Sequence, residues 1–454
     1  MSDAGVSGAG AAGVRVRPYV ELTFDADGDV DPATRDAVAR LDVTDLLVFA
    51  HGWNSDRTAA TQLYDSFFAP FPGLLAPGVR PGYVGVVWPS MIFSDEPIPD
   101  FGHQGAVGVG DAVAETGYAV RLDARTRQAL GEFWPGREAE LDRVAELLEQ
   151  QPESAAALVE FGALIRELSG TDTAVGAGAA APGRVPLMFT EDVLEVCRAF
   201  TDALAETGAL GGALDGAPPV PGAQGFSVGS AAHSLWNGAK ELLRQATYYR
   251  MKKRAGVIGE HGLGPVLAGL ARPSGGGSGP RVHLIGHSFG ARVVSFALRG
   301  LPEAGPRGVR SVTLLQGAFS HYAFAARLPF GLGAGDLHGL PSRVDGPVVA
   351  CHSDFDTALK VLYPLASRLA GDATGFAGFD SRWGAVGHDG IQEVAGAPRL
   401  TLDAALRGGL PAAGCVSVDA ASVVRRGGAP SGAHSDICHE ELARLVTLAG
   451  RVGR

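Results

Sequence analysis

Short apolar runs recur along the chain and predict buried strands. The run Asp45–Ala50 stops at His51-Gly52, and the run 83–88 repeats its pattern before Pro89. Unbroken apolar runs of this length are typical of parallel strands that are covered on both faces. The same pattern predicts a short strand within 16–24 and four later strands, at 281–285, 311–315, 347–351 and 415–418.

Helical spacing dominates the long interval between the apolar run at 83–88 and the one at 281–285. Arg281 lies 193 positions after Trp88, far more than one crossover helix requires. Leu158, Phe161 and Ile165 follow helical spacing, as do residues 193–204, for which Thr190 is a plausible N-cap. We therefore expect a helical cap over 94–240, in which Gly/Ala/Pro-rich segments near 171–186 and 207–224 join the helices.

Strands that alternate with helices predict an α/β fold with a mostly parallel sheet. The main domain is expected to consist of 16–93 and 241–454, with 1–15 as a disordered tail and 94–240 as the inserted cap. A helix at 291–299 follows the strand at 281–285, and a closing helix is expected from about 438 to 449.

Composition excludes several classes of function. The 454 residues carry a formal net charge of −11, so no broadly basic surface is available for nucleic acid. The four cysteines form no CxxC pair, which argues against a zinc site or a disulfide framework. The start resembles no signal peptide, and no apolar run is long enough to cross a bilayer. We expect a soluble, cytoplasmic protein without a metal or cofactor; the sequence carries no signal for its oligomeric state.

One motif carries chemistry. Gly286-His287-Ser288-Phe289-Gly290 matches G-x-S-x-G, in which a serine stands on a sharp strand-to-helix turn that tolerates no side chain at the flanking glycines. Ser227 stands in a second match, but a proline-rich segment precedes it and cannot be a central strand. Ser288 lies between a predicted strand and a predicted helix, so it is the candidate nucleophile.

His51-Gly52-Trp53 after an early strand, followed by the Gly-His-Ser-Phe-Gly motif, resembles the α/β-hydrolase superfamily on its serine esterase and lipase side. The resemblance covers about 41–92 and 281–450. It implies an α/β-hydrolase fold with a nucleophile elbow at Ser288. It also implies an oxyanion hole formed by the backbone N–H groups of Trp53 and Phe289.

The superfamily orders its triad as serine, acid, histidine. Asp356, after the strand at 347–351, best matches the acid; Asp354 is the alternative, and either could instead cap the helix near Thr357. His434 follows the last predicted strand, where the superfamily places its histidine. His388, flanked by Asp389 and glycines, is the rival base.

These residues predict a serine hydrolase that cleaves a carboxylic ester or a related acyl substrate through an acyl-enzyme. By analogy with lipases, the apolar helices of the cap suggest a hydrophobic acyl group. Acyl transfer or amide hydrolysis could use the same triad. A binding or scaffold protein that keeps the fold without catalysis is a further alternative.

Overall fold

The computed structural model describes residues 13–90, 120–170, 186–210, 228–271, 279–303, 308–330, 333–369 and 383–453. These form a single eight-stranded sheet in which all strand pairs are parallel. Its order is β1-β3-β2-β4-β5-β6-β8-β7. The strands are β1 (Tyr19–Thr23), β2 (Asp45–Ala50), β3 (Pro81–Val87), β4 (Arg281–His287), β5 (Val309–Leu315), β6 (Pro347–His352), β7 (Arg399–Thr401) and β8 (Gly414–Asp419).

Helices cover both faces of this sheet. Successive strand residues point to opposite sides and nearly all are apolar, so both faces carry side chains that must be buried. In β2, Leu47 and Phe49 enter one core cluster, while Leu46 and Val48 enter the other. The helices are α1 (Pro32–Ala39), α2 (Arg57–Phe68), α3 (Phe71–Leu74), α4 (Ala124–Phe133), α5 (Glu138–Gln150), α6 (Ala155–Leu168), α7 (Leu187–Thr190), α8 (Val193–Glu206), α9 (Val228–Val257), α10 (Gly264–Leu270), α11 (Phe289–Ala297), α12 (Tyr363–Ser367), α13 (Val386–Asp389), α14 (Leu402–Gly408) and α15 (Glu440–Gly450).

Among the described residues, π-helical segments at 258–263 and 358–362 adjoin these helices. Ile258–Leu263 joins α9 to α10 and packs on α11, where a Cβ atom on Gly259 would collide with the Val293 carbonyl oxygen. Ala358–Leu362 begins six residues after the end of β6 and leads into α12. The second segment borders the site described below.

The helices between β3 and β4 pack on one another and on the layer beside the sheet. The Phe161 ring of α6 meets the Trp236 ring of α9 edge-on at 5.8 Å, and Trp236 Nε1 donates to the Pro152 carbonyl at 3.2 Å. Helix α9 also packs along α11, which follows β4. The apolar faces of these helices therefore share a core with the helices beside the sheet.

Several expectations change at this level. Asp192, and not Thr190, caps α8: its side chain accepts from the amides of Leu194 and Glu195, while Thr190 ends the short helix α7. The expected boundary between 240 and 241 falls inside α9, which is one continuous helix. Residues 1–12 of the expected tail, and Ser227, lie outside the described residues.

Candidate active site

Ser288 lies at the sharp turn between β4 and α11. Its backbone angles, φ 54° and ψ −119°, fall in a region that residues with a side chain rarely adopt. The turn is held by hydrogen bonds from the Ser288 amide to the Leu315 carbonyl and from the Ala318 amide to the Ser288 carbonyl, both at 3.1 Å. Strained backbone of this kind persists where its surroundings over-determine it, and it presents the hydroxyl at the end of the strand.

The two glycines of the motif are required by close backbone contacts. A Cβ atom on Gly286 would collide with the backbone of Gly290 and Ala291, and one on Gly290 would collide with the carbonyl of Ala50 at the end of β2. Neither glycine has a positive φ. Their role is therefore close approach between strand, turn and helix rather than unusual dihedral angles.

His434 and Asp356 complete a chain of hydrogen bonds that starts at Ser288. His434 Nε2 lies 2.9 Å from Ser288 Oγ, and His434 Nδ1 lies 2.7 Å from Asp356 Oδ2. With its proton on Nδ1, the imidazole donates to the carboxylate and accepts from the hydroxyl. This arrangement lets the ring remove the hydroxyl proton while the carboxylate orients the ring and stabilises the imidazolium that forms.

Asp356 is fully buried, and each of its carboxylate oxygens has a partner. Oδ1 accepts from the Leu359 amide at 2.9 Å, so Asp356 also caps the π-helical segment that follows it. Oδ2 accepts from Gln316 Nε2 at 3.2 Å as well as from His434. The sequence offered the helix cap and the partner of the histidine as alternatives for this residue, and the Asp356 side chain makes the contacts of both.

The loop that carries His434 is tied to the loop that carries Asp356. The Ala433 amide donates to the Phe355 carbonyl at 2.9 Å, and the Ala358 amide donates to the Ser431 carbonyl at 3.2 Å. His434 itself lies in a short 3₁₀ turn, Gly432–Ser435. These backbone contacts fix the distance between histidine and carboxylate.

The two alternative residues lie elsewhere. Asp354 is exposed, two residues before Asp356, and among the described residues it is Asp356 and not Asp354 that bonds to His434. His388, in α13, directs Nδ1 toward the Ser353 carbonyl at 3.4 Å and Nε2 toward Asp389 at 3.8 Å. Asp389 in turn meets His321 Nδ1 at 2.9 Å. The hydrogen-bond chain that starts at Ser288 therefore contains His434 and Asp356 rather than His388 and Asp354.

His287 supports the histidine loop from the turn itself. His287 Nε2 donates to the His434 carbonyl at 2.9 Å. Burial, with a smaller contribution from the neighbouring His434, lowers the pKa of His287 to about 3. The ring is therefore neutral at physiological pH and adds no positive charge beside the triad.

The loop after β2 lies against the turn. His51 Nδ1 donates to the Gly52 carbonyl at 2.8 Å, its ring stacks on Trp88 at 5.4 Å, and burial lowers its pKa to about 4. The His51 amide donates to the Tyr64 hydroxyl at 3.1 Å. A Cβ atom on Gly52 would lie 2.7 Å from the Ser288 Cβ. This loop brings Trp53 to the same cavity as Phe289.

A cavity of about 770 Å³, counting its open mouth, lies above Ser288. Its lining combines the triad, the loop after β2, α9 and the segment after Asp356. The lining residues are Trp53, Asn54, Glu241, Arg244, Gln245, Tyr248, His287, Ser288, Phe289, Ala318, Ala358, Leu359, Leu362, Tyr363, Ala366, Ser431, His434 and Ser435.

Two features of the site were missed from the sequence. Gln316, the first residue after β5, holds both Asp356 and the Gly387 carbonyl through Nε2, and a buried polar residue at a strand end was its only signal. The polar residues of α9 in the cavity wall were missed because that stretch was not recognised as a single long helix.

Comparisons with models of protein families, with curated proteins and with solved structures found no match to the chain. Within the part of the chain that the structure describes, no group of three or more His, Cys, Asp or Glu side chains is arranged to hold a metal ion. Among the described helices, none combines the length and the apolar character needed to cross a membrane.

Proposed function

We propose that the protein is a serine hydrolase of the α/β-hydrolase type that cleaves carboxylic esters or related acyl compounds. The observation that carries the proposal is the continuous hydrogen-bond chain from Ser288 through His434 to the buried carboxylate of Asp356. Serine hydroxyls are poor nucleophiles until such a base and acid activate them. The open cavity directly above Ser288 supplies room for an acyl substrate.

The proposed reaction has two steps. Ser288 Oγ attacks the carbonyl carbon while His434 Nε2 takes the hydroxyl proton; His434 then gives that proton to the leaving oxygen, whose bond to carbon breaks. In the second step His434 removes a proton from water, the hydroxide attacks the acyl-enzyme, and the proton returns to Ser288 Oγ as the acid leaves. Asp356 keeps the imidazole oriented and stabilises its positive charge.

The carbonyl oxygen becomes negative in both steps and requires donors. Phe289 is the first residue of α11, and the first N–H groups of a helix have no acceptor within it. The loop after β2 is held against Ser288 by the close approach of Gly52, which brings Trp53 into the cavity wall. We therefore assign the oxyanion donors to the backbone N–H groups of Trp53 and Phe289.

The helices between β3 and β4 form the cap in this proposal. Helix α9 supplies Glu241, Arg244, Gln245 and Tyr248 to the cavity that contains Ser288, and α8 contacts the π-helical segment after Asp356. A cap in this position restricts access to the serine and shapes the space for the acyl group. In open α/β sheets, ligands bind at the carboxyl ends of the strands, where Ser288 lies.

Covalent labelling tests the proposal directly. We expect a fluorophosphonate probe to label the wild-type protein and the Ser227→Ala variant, and not Ser288→Ala. A series of phenyl esters of increasing acyl length then tests turnover, with Ser288→Ala as the blank. Labelling that survives in Ser288→Ala, or an absence of Ser288-dependent ester hydrolysis throughout the series, would refute the proposed function.

A further inference from the structure

One face of α9 lines the cavity with polar side chains. Glu241, Arg244 and Gln245 are three and four positions apart, so they share one face of the helix, and Tyr248 continues it. The first three are almost completely buried, with 1%, 2% and 3% of their surfaces exposed. We call these three residues the polar stripe of α9.

Hydrogen bonds join the three side chains of the stripe to one another. Gln245 Nε2 donates to Glu241 Oε1 at 2.5 Å, and Arg244 Nη1 donates to Glu241 Oε2 at 3.3 Å. Opposite charges on Glu241 and Arg244 offset each other, so the stripe offers hydrogen bonding more than a net charge. Gln245 Oε1 is buried and has no hydrogen-bond partner among the described residues. Gln245 thus lines the cavity with a side chain whose acceptor oxygen has no donor among the described residues.

A polar cavity wall of this kind lowers the stability of the folded protein. Burying charged groups removes their hydration, and apolar residues of similar size would often give equal or greater stability. A buried acceptor without a donor adds a further penalty. Apolar residues are the usual solution, and Leu359, Leu362 and Ala366 supply it elsewhere in the lining of the same cavity. The cost of the stripe is accounted for if a ligand supplies the missing hydrogen bond.

The position of the stripe assigns it to one part of the substrate. The Tyr248 ring lies 4.8 Å from that of Phe289 and 5.6 Å from that of Trp53, and the Arg244 guanidinium lies 5.9 Å from the Trp53 ring centre. The stripe therefore adjoins the side of the cavity formed by Trp53 and Phe289. The leaving group must lie at His434, which protonates it, so the acyl group is the part that faces α9.

Building on the proposed function, we infer that the enzyme's acyl group carries a hydrogen-bond donor, an amide N–H or a hydroxyl, which Gln245 Oε1 accepts. The substrate class is then an ester of a polar acid rather than of a simple hydrocarbon acid. A site that hydrogen-bonds a substrate group discriminates strongly against an analogue that lacks it, because the buried partner is left unpaired. Gln245 is the specificity residue in this inference.

Three phenyl esters of equal acyl length test the role of the donor. The N-acetylglycinate has an N–H and a carbonyl, the 4-oxopentanoate replaces the N–H by a methylene, and the pentanoate has neither group. The measured quantity is the ratio of kcat/KM for N-acetylglycinate to that for 4-oxopentanoate, in which the fraction of folded enzyme cancels. We expect Gln245→Met, which keeps the length and removes the acceptor, to lower this ratio about five- to tenfold.

Thr247→Val provides the matched control. Thr247 is buried on the same helix, donates to the Arg244 carbonyl at 2.7 Å and does not line the cavity. This variant should leave the ratio unchanged. If Gln245→Met changes the ratio no more than Thr247→Val while Ser288-dependent hydrolysis persists, the inference fails and the proposed function survives. If no ester is hydrolysed through Ser288, both fail.

Discussion

Gly52 lies so close to Ser288 that a Cβ atom on the glycine would be 2.7 Å from the Ser288 Cβ and 3.3 Å from His287 Nδ1. Non-bonded carbon atoms do not approach to that distance, so any side chain at position 52 must displace the turn or the loop. The contact joins the loop after β2 to the serine and fixes the position of Trp53 relative to Ser288. A glycine at position 52 is therefore a condition for the geometry of the site.

Gly52→Ala should lower kcat/KM for a short ester by about a hundredfold, since a displacement on the order of 1 Å at reacting groups costs about that much. The measurement is steady-state hydrolysis, with circular dichroism to verify the fold. Gly73→Ala is the matched control, because a Cβ atom on Gly73 would meet nothing within 4 Å. Equal activity in the two variants would show that the contact does not constrain the site.

Removal of the base or the acid should be far more damaging. We expect His434→Ala and Asp356→Asn each to reduce kcat by about 10⁴-fold or more, with residual turnover from the oxyanion donors. His388→Ala and Asp354→Asn serve as controls, since neither residue lies beside Ser288. Near-normal turnover in His434→Ala together with an inactive His388→Ala would reverse the assignment of the base.

Much of the sheet was predictable because its strands are buried on both faces and read as unbroken apolar runs. β2 was predicted with the bounds that the structure gives, and β4, β5, β6 and β8 to within two residues at each end. β7 was missed, since its three residues, Arg399–Thr401, lie at the sheet edge and are partly exposed. A strand without a buried face leaves no apolar pattern to detect.

The residues of the site were predictable where chain order and local context coincide. Ser288 stands between a strand and a helix, and Asp356 and His434 each follow a strand. Gln316 and the polar stripe of α9 were not predictable in this way. Gln316 contacts Asp356, which lies 40 residues further along the chain. The polar residues of α9 interrupt the apolar spacing that identifies a packed helix.

The two buried histidines of the turn and the adjoining loop should make the fold sensitive to acid. Burial lowers the pKa of His51 to about 4 and that of His287 to about 3, below the ordinary value of about 6.5. In the unfolded chain both rings take up protons below about pH 6.5, so the unfolded state binds more protons there. The free energy of unfolding is therefore expected to fall as the pH decreases from about 6.5 toward 4.

Nuclear magnetic resonance of the imidazole groups checks this prediction directly. The ring signals of His51 and His287 should not titrate between pH 7.5 and 5, whereas a ring with an ordinary pKa would shift near pH 6.5. Their assignment rests on the loss of one set of signals in His51→Asn or His287→Asn. Titration of either ring near pH 6.5 in the folded protein would contradict the burial argument.

The hydroxyl groups of two buried tyrosines should contribute unequally to stability. Tyr64 donates to the Val86 carbonyl at 2.5 Å and accepts from the His51 amide at 3.1 Å, so it joins β3 to the loop that carries Gly52. The Tyr83 hydroxyl is also buried but has no hydrogen-bond partner among the described residues. Both residues belong to the same core cluster, which makes their phenylalanine variants a matched pair.

Tyr64→Phe should lower the free energy of unfolding by about 1–3 kcal/mol, because it leaves a buried carbonyl and a buried amide without a partner. Tyr83→Phe should change it little or raise it, since that substitution removes a polar atom that is buried without a hydrogen bond. Urea denaturation of both variants measures the difference. Tyr64→Phe should also reduce ester hydrolysis, as the loop that contacts Ser288 loses its anchor. Equal stability losses in the two variants would mean that the Tyr64 hydrogen bonds do not hold this loop in place.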